Sequence, residues 1–378
     1  YAERTYHDLV DMPFFVGRFD LDSATVDGLN VRLATYPAGT LAGDARAAFW
    51  AQYRKLFAPQ VQVFGERPYS SYTTMMVFPP EFGGGSALEH QNSHVGIYTP
   101  EGIGQPWIAS VTAHEMFHAF NVKRLRPAEM VPYRYDVAQP TVWLWVSEGI
   151  TDYYADLTML RGGVIDSAAF LEETGNKIAQ VNQVPAVALE DASLSTWIHP
   201  TDGTGYIYYP KGSLAGLLLD ILIRDASDNR RSLDDVMRET YQRTYKQGKG
   251  FGATEWWGAV SRAAGAGSST ASMSATSTAA NRSPTTACCP WPACGWSPTA
   301  CGCRGSASTP PRTPPAPWSP PSIRTGRPPR PGSRRGTGSW PSGRFRSRGS
   351  RRSCGSAPST AAARARSFRS RCGAASRS

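Results

Sequence analysis

Apolar positions recur in two rhythms along this chain, and the rhythm changes near residue 105. From Leu41 to Phe57 the side chains Ala45, Ala48, Phe49, Tyr53 and Leu56 fall at helical spacing and predict an amphipathic helix. Gln60–Phe64, Tyr72–Phe78 and His94–Tyr98 are short runs rich in Val, Tyr, Thr and Phe, and predict strands. Gly83-Gly84-Gly85 breaks the chain between the last two. From Trp107 onward the spacing is mostly helical, predicting helices over Ile108–Asn121, Val142–Arg161, Ser167–Asn182, Lys211–Asp225, Ser232–Tyr245 and Ala253–Ala264. No repeat of fixed period interrupts this order. The expectation is an α+β fold, with a small sheet and mixed structure over 1–105 and a helical lobe over 106–265.

Composition changes the picture after that. The chain of 378 residues carries a net charge of +10, which suggests a basic, nucleic-acid-binding protein. The charge is unevenly placed. All 30 acidic residues lie at or before Glu255, whereas residues 266–378 hold 18 arginines, no acid and all seven cysteines. Residues 1–265 carry 22 basic against 30 acidic side chains, a net charge of −8. That body is long enough to bury a substantial core. It has no cysteine, so a fold built on disulfides is excluded for it. No apolar run approaches the roughly 20 residues needed to cross a bilayer. The chain starts at Tyr1 without a methionine, so a preceding segment is expected.

One cluster carries chemistry. His114-Glu115-Met116-Phe117-His118 is an H-E-x-x-H motif in a helical stretch. Residues four apart share a helix face, so both imidazoles can bind one Zn²⁺, with Glu115 beside them as general base. A zinc centre of this type takes a third protein ligand. With no cysteine in the body, the best third ligand is Glu148, in Trp145-Val146-Ser147-Glu148-Gly149-Ile150-Thr151-Asp152. A carboxylate amid those apolar residues is costly to bury unless something compensates it, and a metal does so; the alternative is a solvated glutamate. Asp152 lies one turn further on the same face. It is placed to hold the second nitrogen of a ligand imidazole, or else is an ordinary exposed helix acid.

The stretch His114-Glu-Met-Phe-His-Ala-Phe-Asn-Val-Lys-Arg-Leu-Arg-Pro127 resembles the extended zinc signature of the glycyl aminopeptidase family, and so does Trp145-Val-Ser-Glu-Gly-Ile-Thr-Asp-Tyr-Tyr154. The resemblance implies a thermolysin-like catalytic domain of the gluzincin type over residues 1–265. It implies His114, His118 and Glu148 as zinc ligands and Glu115 as the base. It further implies a β-rich domain before Tyr1 and a PDZ domain after the catalytic part. Tyr208-Tyr209-Pro210-Lys211-Gly212 is similar to a Tyr-x-Lys-Gly segment of related zinc aminopeptidases. That likeness makes Tyr209 the donor to the oxyanion, with Tyr208 the alternative and a pair of packing tyrosines the plain reading. Gly85-Ser86-Ala87-Leu88-Glu89-His90 is similar to the family's Leu-Glu-His segment, which implies that Glu89 binds the substrate's free amine; a structural role is its alternative. Lys123, Arg124 and Arg126 read as a solvated or salt-bridged helix end.

Residues after about Gly265 are a low-complexity mixture, expected to form no packed domain. Joining the third base of each codon to the first two of the next tests another origin. Met273 to Trp296 then permits a segment like the one following the family's catalytic domain. Pro317 to Pro341 permits one like a PDZ domain, with its Gly-Leu-x-Pro-Gly-Asp turn. The tail is therefore expected to be a PDZ region read out of frame, and nucleic-acid binding, which rests on it alone, is rejected. The functional expectation is a zinc-dependent metallopeptidase acting on peptides, an aminopeptidase that releases small N-terminal residues such as glycine and alanine. A zinc endopeptidase and an inactive peptide-binding scaffold are the alternatives. The compartment stays open between bacterial cytoplasm and periplasm.

Overall fold

The structure, a computed structural model, describes residues 5–265. A short helix α1 (Tyr6–Val10), capped by the Thr5 side chain, precedes a hairpin of β1 (Asp20–Val26) and β2 (Leu29–Tyr36). Asp27 and Gly28 join these strands with φ of 49° and 74°. Two positive φ values make a type I′ turn, whose twist matches that of the strands, and Asp-Gly is a preferred pair for it. In β2 the buried Leu29, Val31 and Leu33 alternate with the exposed Asn30 and Arg32, fixing which face packs inward.

Helices α2 (Gly43–Tyr53) and α3 (Phe57–Phe64) then cross over to β3 (Ser71–Val77), which is parallel to β2. The expected strand at Gln60–Phe64 is thus the second half of α3. Phe57, Gln60, Val63 and Phe64 are buried at spacings of three and four, a helical stripe that a short run of Val and Phe disguises as a strand. Strands β4 (Gly85–Glu89) and β5 (Ser93–Tyr98) complete a sheet of order β1-β2-β3-β5-β4. In it β3 and β5 are parallel, β5 and β4 antiparallel, and Glu89 stands opposite His94. The strands β1, β2 and β4 were not expected; those at 72–78 and 94–98 were.

The rest is helical. Helix α4 (Pro106–Phe117) starts on a proline, which suits a first helical turn, and packs against β4 and β5. A single π-helical turn over Trp145–Ile150 leads into α5 (Thr151–Arg161), where one regular helix was expected. Helices α6 (Ser167–Asn182), α7 (Leu189–Ser195), α8 (Tyr208–Ala226), α9 (Leu233–Arg243) and α10 (Ala253–Ala264) follow; α7 was not expected. Phe64, Phe117, Phe120, Tyr154, Trp145 and Trp256 anchor the core beneath the lobe, with Phe64 and Phe120 stacked at 4.4 Å. The result is the expected α+β fold, a small sheet with a helical lobe.

The widened turn is packed tightly against α8. A Cβ on Gly149 would lie 2.5 Å from Gly212 Cα and 2.5 Å from the Tyr208 carbonyl, and one on Gly212 would lie 2.7 Å from the Trp145 carbonyl. Only glycine at both places lets α8 approach the turn this closely. The contact sets the segment bearing Glu148 directly against the first turn of α8. Among the described residues no helix is long and apolar enough to cross a membrane. The expectations for 266–378 lie outside the described residues.

Candidate active site

His114 and His118 project one turn apart from the end of α4, and their Nε2 atoms are 2.9 Å apart. From the π turn, Glu148 brings Oε2 to 3.3 Å from His114 Nε2 and 3.2 Å from His118 Nε2. Two nitrogens and one oxygen thus form a nearly equilateral triangle. Tetrahedral zinc with N and O ligands at about 2.0–2.1 Å holds them about 3.3 Å apart, so the donor set fits that ion in both chemistry and spacing.

Hydrogen bonding aims the rings. His118 Nδ1 is 2.6 Å from the Asn121 carbonyl, so Nδ1 carries the proton and the Nε2 lone pair faces the triangle. His114 Nδ1 is 3.9 Å from Asp152 Oδ1, facing it but beyond hydrogen-bond reach. Asp152 in turn pairs through Oδ2 with Lys177 at 2.7 Å. Burial opposes charge on both Glu148 and His118, yet their mutual attraction wins. It holds the Glu148 carboxyl well below the usual carboxylate range and pushes the His118 imidazole up. The centre therefore demands positive charge between these groups.

Glu115 is buried behind the histidines, with Oε2 lacking a hydrogen-bond partner among the described residues. Burial, reinforced by the carboxylates of Glu89 and Glu148, pushes it up to about 8. Glu89, at the end of edge strand β4, is brought into the same place. One oxygen each from Glu89 and Glu115 and one nitrogen of His118 lie within 4.8 Å of one another. Tyr209, in the first turn of α8, sets its ring 5.9 Å from that of His114. Burial and the Glu148 carboxylate keep its hydroxyl well above the usual phenol range. Tyr208 packs against it at 4.8 Å and is more deeply buried. Each site residue read from the sequence therefore gathers around one centre, with Asp152 at its margin.

Three supporting residues went unread. Asn121 donates from Nδ2 to the Val146 carbonyl at 2.8 Å and to Thr151 Oγ1 at 3.0 Å, tying the end of the histidine motif to the turn that carries Glu148. Its position in the apolar stretch Phe120-Asn121-Val122 is the signal that pointed to it. Beneath Glu115, His94 Nδ1 lies 3.1 Å from the Tyr72 hydroxyl, which donates to the Glu115 carbonyl at 3.3 Å. His94 and Tyr72 read only as strand residues.

Residues 107–215 match the family model of the M61 glycyl aminopeptidases, a span that includes His114, Glu115, His118, Glu148 and Tyr209. The resemblance drawn from the motifs is thereby borne out. Among solved structures, the chain is similar to an aminopeptidase N family protein from Idiomarina loihiensis, at 25% identity with a TM-score of 0.57. That match covers 63% of this chain and 43% of the other, so the chain spans less than half of the length of that protein. It is also similar to an M1 zinc metallopeptidase from Deinococcus radiodurans, at 17% identity and a TM-score of 0.48, over 70% of this chain and 53% of that one. No curated protein matches the chain by sequence.

His94 gives the site a measurable pH signature. The ring is fully buried, and that burial pushes its imidazole down to about 3 from an ordinary 6.5. Below pH 6.5 the unfolded chain takes a proton that the folded chain refuses until about pH 3. Acid therefore favours unfolding across that window, and the contribution is fully retained above pH 6.5. Between pH 7 and pH 5 the expected loss through His94 is about 2 kcal/mol, and His94→Gln should remove that share of the slope. Denaturant unfolding at the two pH values checks it; equal slopes in both proteins would contradict the assignment.

Proposed function

We propose that this chain contains the catalytic machinery of a zinc aminopeptidase that releases small N-terminal residues from peptides. His114, His118 and Glu148 are its zinc ligands, Glu115 its general base, Tyr209 its oxyanion donor and Glu89 its amine anchor. Asp152 faces His114 Nδ1 from behind at ion-pair distance. The observation that carries the reading is the triangle of ligand atoms, 2.9–3.3 Å on a side, with a desolvated carboxylate beside it. The family match over 107–215 supports the same reading, and the preference for glycine follows from that family's description alone.

When bound, zinc supplies Lewis-acid polarisation of the scissile carbonyl and lowers the pKa of the attacking water. The chain's own residues do the rest. Glu115, dry and high in pKa, accepts the water's proton at its unpartnered Oε2 and returns it to the leaving amine. Nearby cationic charge lowers its pKa towards the neutral range, where a base works best. Tyr209 keeps its proton at every working pH, so it donates a hydrogen bond to the carbonyl oxygen as negative charge develops there. Glu89, at the end of β4, is placed to pair with a free ammonium one residue from the cleaved bond.

Two variants test the roles separately. Glu115→Gln removes a base but no ligand, so metal analysis should still find one zinc while kcat falls by about 10²–10⁴-fold; full turnover in this variant would overturn the assignment of the base. For Glu89, one reporter peptide is compared with a free and an acetylated N-terminus. The free form should be cleaved far faster, because acetylation removes a charge-assisted bond to the half-buried Glu89, a loss of about 1.5–3 kcal/mol. Glu89→Ala should erase most of that preference without changing zinc content. Equal cleavage of both peptides by the unmutated chain would replace the aminopeptidase with an endopeptidase.

A further inference from the structure

The carboxylate of Asp152 faces two ways. Oδ1 turns to His114 Nδ1 at 3.9 Å, and Oδ2 is held by Lys177 Nζ at 2.7 Å. Lys177 stands on α6, three elements removed from the histidine motif, and only 5% of it is exposed. Its ammonium also reaches Asp156 Oδ2 at 2.5 Å and Ser213 Oγ at 3.0 Å. Three oxygens, as many as the ammonium has protons, thus lie within 3.0 Å of it. The acceptors come from two helices, since Asp152 and Asp156 are one turn apart on α5 and Ser213 is on α8.

A buried lysine is costly to desolvate and persists where its partners compensate fully. Four groups locked together in this way leave Asp152 little freedom to turn. Without Lys177, Oδ2 loses its tether and the partly exposed Asp152 swings toward water, because its remaining protein partner lies at 3.9 Å. The same ammonium joins α5, which follows the Glu148 turn, to α8, whose first turn carries Tyr209.

We propose that Lys177 is a positioning residue of the metal centre, clamping Asp152 against His114 and so holding that imidazole in the orientation zinc requires. The proposal rests on the zinc reading given above. It differs from a purely structural role, in which Lys177 merely neutralises Asp156 and staples three helices. Partners behind metal-bound histidines typically contribute 10–100-fold in metal affinity, and that is the size of effect assigned to Lys177.

The test measures zinc affinity of the full chain by competition with a chromogenic chelator, alongside thermal melts. Lys177→Met/Asp156→Asn removes one positive and one negative charge, so the buried charge balance is kept. The expected result is a fold that still melts cooperatively but binds zinc 10–100-fold more weakly. Added to Asp152→Ala, the same pair of substitutions should cost less than about threefold more, because the clamp has nothing left to hold. Affinity within about threefold of the unmutated chain would overturn the proposal, as would an equal loss in the Asp152→Ala background. Should the paired variant fail to fold, Ser213→Ala loosens one of the three bonds and is expected to weaken zinc binding measurably with the melt preserved; unchanged affinity there would also overturn it. An unmutated chain that binds no zinc defeats the zinc reading itself, before any variant is compared.

Discussion

Two imidazole nitrogens 2.9 Å apart, with a carboxylate oxygen 3.2–3.3 Å from each, put three potential acceptors around one point. Their lone pairs repel unless a proton or a cation lies between them, and a buried carboxylate is costly without such a partner. A single ring N–H satisfies only one of these contacts well. Zinc engages all three donors at once. Much of the surrounding fold can be understood as the means of keeping these three atoms together.

The means are backbone contacts and buried polar bonds rather than the helices alone. Gly149 against Gly212 brings the π turn and α8 to a separation that any side chain would prevent. Side chains donate to carbonyls of the turn, Asn121 to that of Val146 and Thr151 to that of Ser147. π turns often mark functional segments for this reason, since they change the aim of one side chain within a helix. On the other side, the sheet delivers Glu89 from its edge strand and supports Glu115 through Tyr72 and His94. The acidic groups brought together in this way favour a cation at the centre.

How much of this was legible depended on whether the information was local. The spacing of His114 and His118 is a property of one helix, and it gave the core of the site directly. Glu148 was found because the body has no cysteine and because the segment around it resembles a known one. The Asp27-Gly28 hairpin was equally local, with a preferred turn pair at its tip, but in β1 the half-buried positions hold Asp20 and Asp22 while Leu21 is exposed, so its hydrophobicity does not follow its burial. Gln60–Phe64 failed for the opposite reason, since its apolar run fits either period and burial by tertiary packing decides it. The π turn and the Lys177 cluster were invisible in principle, and of the Asn121 bridge only a polar residue within an apolar stretch was local. Each depends on residues 21 to 63 positions apart meeting in space, as Asn121 meets Val146, Gly149 meets Gly212, and Lys177 meets Asp152, Asp156 and Ser213.

The central claim is that nitrogen and oxygen atoms from α4 and the π turn hold one zinc ion. The cysteine-rich residues 266–378 offer a different donor chemistry, because thiolates are strong zinc ligands. X-ray absorption at the zinc edge separates the two possibilities directly in the purified chain. The account predicts a first shell of nitrogen and oxygen only, at about 2.0–2.1 Å, with the multiple-scattering pattern of two imidazoles. A shell containing sulfur at about 2.3 Å, or zinc that stays bound unchanged in His114→Ala, would contradict it.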